Sequence, residues 1–244
     1  MTVIGGKAYW LIGASEGMGR EVAKLLASDG AELILSARNR ERLQELRDEL
    51  GMGRVVPLDV TDADSIAGAV DEIGLPDALI YNAGAYYPMP TDEWDSAKAL
   101  TMCDVNFMGA MRVLGEVVPK FVERGSGEVT LVGSLAAYRG LPKSIGYSAS
   151  KAGIASLAET MRRDLKGSGV TVRLVNPGFI RTRLTDKNQF RMPMLMEPED
   201  AAERVVAALK SSRFRTDFPA PFSWLMRGLR CVPDWLYFAG GGRG

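Results

Sequence analysis

The sequence predicts an α/β protein built on a doubly wound parallel sheet. Three observations predict it. Apolar runs of four or five residues alternate with helix-period segments along most of the chain. The first run ends in a glycine-rich loop that opens onto a helix. At 244 residues, 46% hydrophobic and 25% charged, the chain carries enough apolar side chain for one sizeable core.

The elements follow in order. Ala8–Ile12 reads as a buried strand and Gly17–Ser28 as the helix after it. Glu32–Leu35 is a second strand, followed by a charged amphipathic helix over Asn39–Leu50. Arg54–Leu58 is strand-like, and Thr61 or Asp62 caps a helix running to about Ile73. Ala78–Tyr81 is a fourth strand, and two helices are expected between Thr91 and Glu123. Glu128–Val132 is a fifth strand. Tyr147–Lys166 is a helix with Ile154, Leu157, Ala158, Met161 and Leu165 on one stripe. Thr171–Val175 is a sixth strand, stopped by Asn176-Pro177-Gly178. Pro198 suits the first turn of a helix to about Ser211, and Phe214–Phe218 suits a seventh strand. Strands separated by helices pack as a parallel sheet covered on both faces, with right-handed crossovers. A single domain over residues 1–212 is expected, with an apolar extension over residues 213–244 lying on it or on a partner subunit.

Composition excludes several function classes. Thirty lysines and arginines balance thirty aspartates and glutamates, so no basic excess points to nucleic acid. Histidine is absent, which excludes a Ser-His-Asp triad, a Cys-His pair and histidine-ligated zinc. Cys103 and Cys231 have neither metal spacing nor the look of a disulfide framework. No metal is expected. The longest apolar runs fall short of a membrane span, and Met1 to Lys7 lacks the order of a signal peptide. A soluble, cytoplasmic protein is the expectation.

The loop Gly13-Ala14-Ser15-Glu16-Gly17-Met18-Gly19 joins the first strand to the first helix. Glycines there admit a sharp turn and a close backbone approach to a pyrophosphate, and the helix N-terminus offers free N–H groups. The end of the second strand bears on the choice of nucleotide. A carboxylate there would accept from a ribose 2′-hydroxyl, but the chain reads Leu35-Ser36-Ala37-Arg38. Arg38 suits a 2′-phosphate, so NADP(H) is favoured over NAD(H). Glu16 counts mildly against this.

Tyr147 and Lys151 stand four apart and share one helix face. An ammonium about 5 Å from the phenol, at an effective dielectric near 20, contributes about 3 kcal/mol. That lowers the phenol by roughly two pKa units, so an acid–base tyrosine needs no imidazole. Ser134 lies at the end of the fifth strand, where ligands bind in this architecture.

Together these residues resemble the short-chain dehydrogenase/reductase family, a Rossmann-fold family. The matches are Gly13-x3-Gly17-x-Gly19, Asp59-Val60, Asn82-Ala83-Gly84, Asn106, Ser134, Tyr147-x3-Lys151 and Pro177-Gly178, in family order over about residues 5–212. The resemblance implies that Tyr147 is the general acid or base. Lys151 tunes it and holds the nicotinamide ribose, and Ser134 bonds the substrate oxygen. Asn106 would hold a water that continues a proton relay through Lys151. Asp59 and Val60 would contact adenine, and Asn82, Ala83 and Gly84 would border the adenosine side. Pro177, Gly178, Ile180 and Thr182 would sit at the nicotinamide end. Ser15, Glu16 and Met18 belong to the loop around the cofactor. A homodimer or homotetramer is implied, with a dimer through the helices near residues 105–123 and 147–166.

Between Pro177 and Pro198 lies a lid-like segment with Arg181, Arg183, Lys187, Arg191, Met192, Met194 and Met196. Methionines make adaptable apolar walls, suggesting a partly apolar carbonyl or alcohol substrate. After residue 212 the chain departs from the common family pattern, with an aromatic and aliphatic cluster and interspersed arginines. Packing on the body or a partner, a lid over an apolar substrate, and contact with a membrane surface remain open, in that order. The leading function is hydride transfer between NADP(H) and a carbonyl or alcohol. The alternatives are a nucleotide-binding regulator without turnover, and an epimerase or dehydratase on the same scaffold.

Overall fold

Among the described residues, seven strands form one sheet in the order β3-β2-β1-β4-β5-β6-β7, and every pairing is parallel. They are β1 (Ala8–Ile12), β2 (Glu32–Ser36), β3 (Arg54–Val55), β4 (Ala78–Tyr81), β5 (Gly127–Val132), β6 (Val170–Pro177) and β7 (Arg215–Phe218). The computed structural model describes residues 3–188 and 190–239. Among these, no helix is long and apolar enough to cross a membrane.

Strand periodicity sends alternate residues to opposite layers. Tyr9, Leu11, Leu33 and Leu35 pack with α1 (Gly17–Ser28), α2 (Arg40–Leu50) and α7 (Pro198–Lys210). Trp10, Ile12, Leu79 and Tyr81 pack with α3 (Ala63–Ile73), α5 (Gly109–Arg124) and α6 (Ile145–Asp164). Trp10 is fully buried, and its indole N–H donates to Ser36 Oγ at 2.8 Å, which donates onward to Val56 O at 2.6 Å.

The local signals act as chemistry requires. Asn39 caps α2 by accepting from Arg42 N at 2.7 Å, and Asp62 caps α3 by accepting from Asp64 N at 3.0 Å. β3 is shorter than the expected Arg54–Leu58. Pro57 cannot donate to a ladder, and only single bonds from Val56 N and Leu58 N continue along β2.

The region from Thr91 to Glu123 holds the two expected helices, joined without a break. After a short 3₁₀ turn, α4 (Ser96–Cys103) runs through a π turn at Asp104–Met108 directly into α5. The Tyr81 hydroxyl donates to Val105 O at 2.6 Å, satisfying a carbonyl of that turn. A side chain at Gly109 would lie 2.5 Å from the same hydroxyl, so glycine allows α5 to close on β4. The segment after residue 212 contributes β7, then α8 (Ala220–Leu229) and α9 (Asp234–Ala239).

The strand order reverses between β1 and β4. Ligands bind at the carboxyl ends of the strands flanking such a switch. The loops leaving β1 and β4 are Gly13–Gly19 and Asn82–Gly84.

Candidate active site

A cavity of about 610 Å³ opens at this point. One half is lined by the glycine loop. Gly13 has φ +90, and a side chain on it would lie 2.7 Å from Ala83 N. A side chain on Gly19 would lie 2.0 Å from Gly13 O. The Asn82 amide donates to that same carbonyl at 2.9 Å, so β1 and β4 are locked together beneath the loop. α1 begins at Gly17 with no side chain capping it, which leaves its first N–H groups for a ligand. A dinucleotide pyrophosphate fits this cradle of close backbone and free amides.

Glu16, the expected obstacle, is neutralised. Its carboxylate accepts from Arg42 Nη1 at 2.7 Å and also pairs with Arg183 of the lid. Ser15, Glu16, Arg42 and Arg183 border a second hollow of about 400 Å³ beside the loop. Asp59 is buried enough to raise its pKa. Hydrogen bonds from the Thr61 N–H and hydroxyl, with the Arg38 charge nearby, outweigh that and hold the carboxyl below its usual value. Arg38 therefore stands at the β2 end close to Asp59. Val60 is buried against Gly109.

The other half of the cavity carries the polar set. Tyr147 lies in the first turn of α6 and Lys151 one turn further, on the face toward the β5 end. Lys151 is buried, and its ammonium donates to Val132 O at 2.8 Å. Ser134 follows that strand, and its hydroxyl accepts from Ala136 N at 3.1 Å. Ser134, Tyr147 and Lys151 thus meet at one wall of one cavity.

The electrostatics correct a sequence expectation. Lys151 Nζ lies 5.9 Å from the Tyr147 ring centroid. Burial pushes the phenol pKa up, opposed by a hydrogen bond with Ser134. Burial pushes the lysine down to about 8. The two-unit depression of the phenol expected from lysine is absent, because the site that brings the charge close also desolvates both groups.

Asn106 is fully buried in the π turn. Its Oδ1 accepts from Ala85 N at 2.7 Å, and its Nδ2 donates to Ala85 O and Ser150 Oγ, each at 3.0 Å. The side chain clamps the loop after β4 to α6. Pro177, Gly178, Ile180 and Thr182 line the floor between the two halves. Gly178 N donates to Phe218 O at 2.8 Å, and a side chain there would lie 3.2 Å from Phe222. Gly13, Arg38, Asp59, Val60, Ala83 and Asn106 line neither hollow.

Several lining residues escaped the sequence reading. Phe190, Phe179 and Phe222 form an aromatic ladder, with centroid separations of 5.7 Å at each step. Met226 and Leu141 extend the apolar wall. Tyr86 meets Tyr147 edge-on at 4.9 Å and donates to Asn188 Oδ1 at 2.8 Å. Phe222 and Met226 belong to the apolar extension, for which a lid over an apolar substrate is one of the three readings. Tyr86 had no signal.

The sheet order, the switch-point cavity and the glycine cradle define a dinucleotide-binding α/β protein of the Rossmann type. Residues 7–192 match the sequence model of the short chain dehydrogenase family, and the chain belongs to that family. An oxidoreductase of Myxococcus xanthus, itself uncharacterized, is 36% identical over 235 residues, covering 93% of each chain. An uncharacterized oxidoreductase of Staphylococcus aureus is 31% identical, covering 86% of this chain and 93% of its own. A short chain dehydrogenase from Burkholderia cenocepacia, solved in complex with NADP, superposes with a TM-score of 0.84 at 26% identity over 98% of each chain. The protein is an oxidoreductase of this family.

Proposed function

We propose that the protein reduces a carbonyl, or oxidises the corresponding alcohol, with NADP(H). The observation that carries this is Ser134, Tyr147 and Lys151 on one cavity wall, beside the glycine cradle and open to an apolar chamber. The bound nicotinamide would supply or accept the hydride. The chain's own residues do the rest. The Ser134 hydroxyl donates to the carbonyl oxygen and stabilises charge developing there. Tyr147, kept protonated by burial, gives its proton to the same oxygen. Lys151 holds its positive charge behind the phenol and anchors on Val132 O. Asn106 positions the loop after β4 against α6. The aromatic ladder excludes water from the reacting end and accepts an apolar substituent.

Arg38 and the lack of a carboxylate at the β2 end support NADP(H). The bound NADP of the Burkholderia relative points the same way. A soluble, cytoplasmic reductase acting as a homodimer is the form we infer.

Tyr147→Phe is the test. Turnover of NADPH with apolar ketones and aldehydes should fall by about 10²- to 10⁴-fold, the usual contribution of a positioned acid. The Kd for NADPH should stay within about twofold, which is under about 0.4 kcal/mol. Near-normal turnover overturns the mechanism, and tighter binding of NADH than NADPH overturns the cofactor assignment.

A further inference from the structure

α8 and α9 are unusual for surface helices. α8 runs Ala-Pro-Phe-Ser-Trp-Leu-Met-Arg-Gly-Leu with Arg227 as its one charged residue, and α9 has only Asp234. A helix that is apolar all round is ordinarily covered all round. The inner side of α8 is covered: Met226 and Ser223 are buried, and Phe222 stacks on Phe179. On the outer side, Pro221, Trp224, Leu225 and Gly228 follow at i, i+3, i+4 and i+7 without a charge. Trp224 is 69% exposed and Leu225 60%.

α9 repeats the pattern. Its Tyr237 fastens it to the body, with the hydroxyl donating to Gly140 O at 2.5 Å and the ring 4.4 Å from the Arg139 guanidinium. Trp235, Leu236 and Phe238 are left 75%, 52% and 67% exposed. Phe238 packs edge-on against Tyr237 at 5.1 Å while most of its surface, with Trp235 and Leu236, still faces outward.

The charges around this surface narrow the partner. Arg230 and Lys143 are exposed, and so is Arg227, whose charge is only partly offset by Asp217. The nearby carboxylates are engaged. Asp234 pairs with Arg139, and the largely covered Asp217 carboxylate accepts from Tyr138 and Asn176 and pairs with Arg227 at 3.7 Å. In a two-fold contact between copies the patch would meet itself, setting these cations against one another. An anionic lipid surface supplies the charge that is missing. Trp, Leu and Phe beside arginine compose helices that lie in a bilayer interface.

We propose that α8 and α9 form a peripheral docking surface for an anionic bilayer. Trp224, Leu225, Trp235, Leu236 and Phe238 enter the headgroup–acyl boundary, and Arg227 and Arg230 meet lipid phosphates. The proposal stands apart from the reaction catalysed.

The test is cosedimentation of the full chain with phosphatidylcholine vesicles, with and without phosphatidylglycerol. Binding is expected only with phosphatidylglycerol, and high salt should release it. Tryptophan emission should shift blue on binding and be quenched by brominated lipid. Trp224→Ser with Trp235→Ser should weaken binding at least about tenfold, while Arg227→Gln with Arg230→Gln should remove the preference for phosphatidylglycerol. Circular dichroism and nucleotide binding of both variants verify the fold. Absent binding, or binding indifferent to these changes, overturns the proposal. So does self-association in the parent that the tryptophan variant abolishes, since the face would then belong to a second copy.

Discussion

At the scale of single residues, burial alters the chemistry of Lys151. Burial lowers it to about 8, within reach of ordinary conditions. Below that value the ammonium is present behind the Tyr147 phenol. Above it the lysine is neutral and the phenol loses the charge that stabilises its anion. The reductive kcat is therefore expected to hold up to about pH 8 and to fall as pH rises further. A pH–rate profile under saturating NADPH measures this, and a rate that climbs steadily through pH 8 contradicts it. The pairing of Tyr147 and Lys151 was legible from their spacing. The balance of their pKa values was not, because desolvation depends on what the rest of the chain lays over them. Asn106 teaches the same lesson. Its place in the pattern was readable, but its three bonds to Ala85 and Ser150 exist only once the π turn has formed.

At the scale of elements, the parts set by local chemistry were legible and those set by tertiary contact were not. The strands announced themselves as short apolar runs, and Asn39 and Asp62 as caps, because period and capping are properties of a few neighbouring residues. The π turn between α4 and α5 depends on Tyr81, more than twenty residues away. α8 is apolar on both sides, so no periodicity could say which side faces the cavity. The glycine loop is the element whose sequence and geometry agree most closely, and it gives a sharp expectation. A methyl group at residue 19 would sit 2.0 Å from Gly13 O and 2.5 Å from Asn82 Nδ2. Backbone cannot yield there without parting β1 from β4. Gly19→Ala should cost at least about 2 kcal/mol of stability, in the range of overpacked cores. It should also weaken NADPH binding at least about tenfold, the equivalent of about 1.4 kcal/mol. Urea unfolding and fluorescence titration check the two effects. An unperturbed variant would show that the loop has slack it does not display.

At the scale of the whole molecule, two apolar surfaces differ in a way that separates their partners. On α5 and the turn before it, Met108, Met111, Gly115, Val118 and Val122 follow at spacings of three and four, the seam of a helix pair. Met108, Met111 and Val122 are exposed. On α6, Ala149, Ala152 and Ser156 keep an exposed line small enough for close approach. Arg112, Glu116, Lys120 and Glu123 mix both signs around this seam. A surface of mixed sign can meet its own copy across a two-fold axis. The homodimer is therefore expected through α5 and α6. Burying a methionine contributes about 1.5–3 kcal/mol, so Met108→Lys with Met111→Lys should weaken dimerisation at least about 100-fold. Trp224→Ser with Trp235→Ser should leave the dimer intact. Sedimentation velocity over a concentration series distinguishes them. A dimer that survives the methionine changes and dissociates with the tryptophan changes would exchange the roles of the two faces.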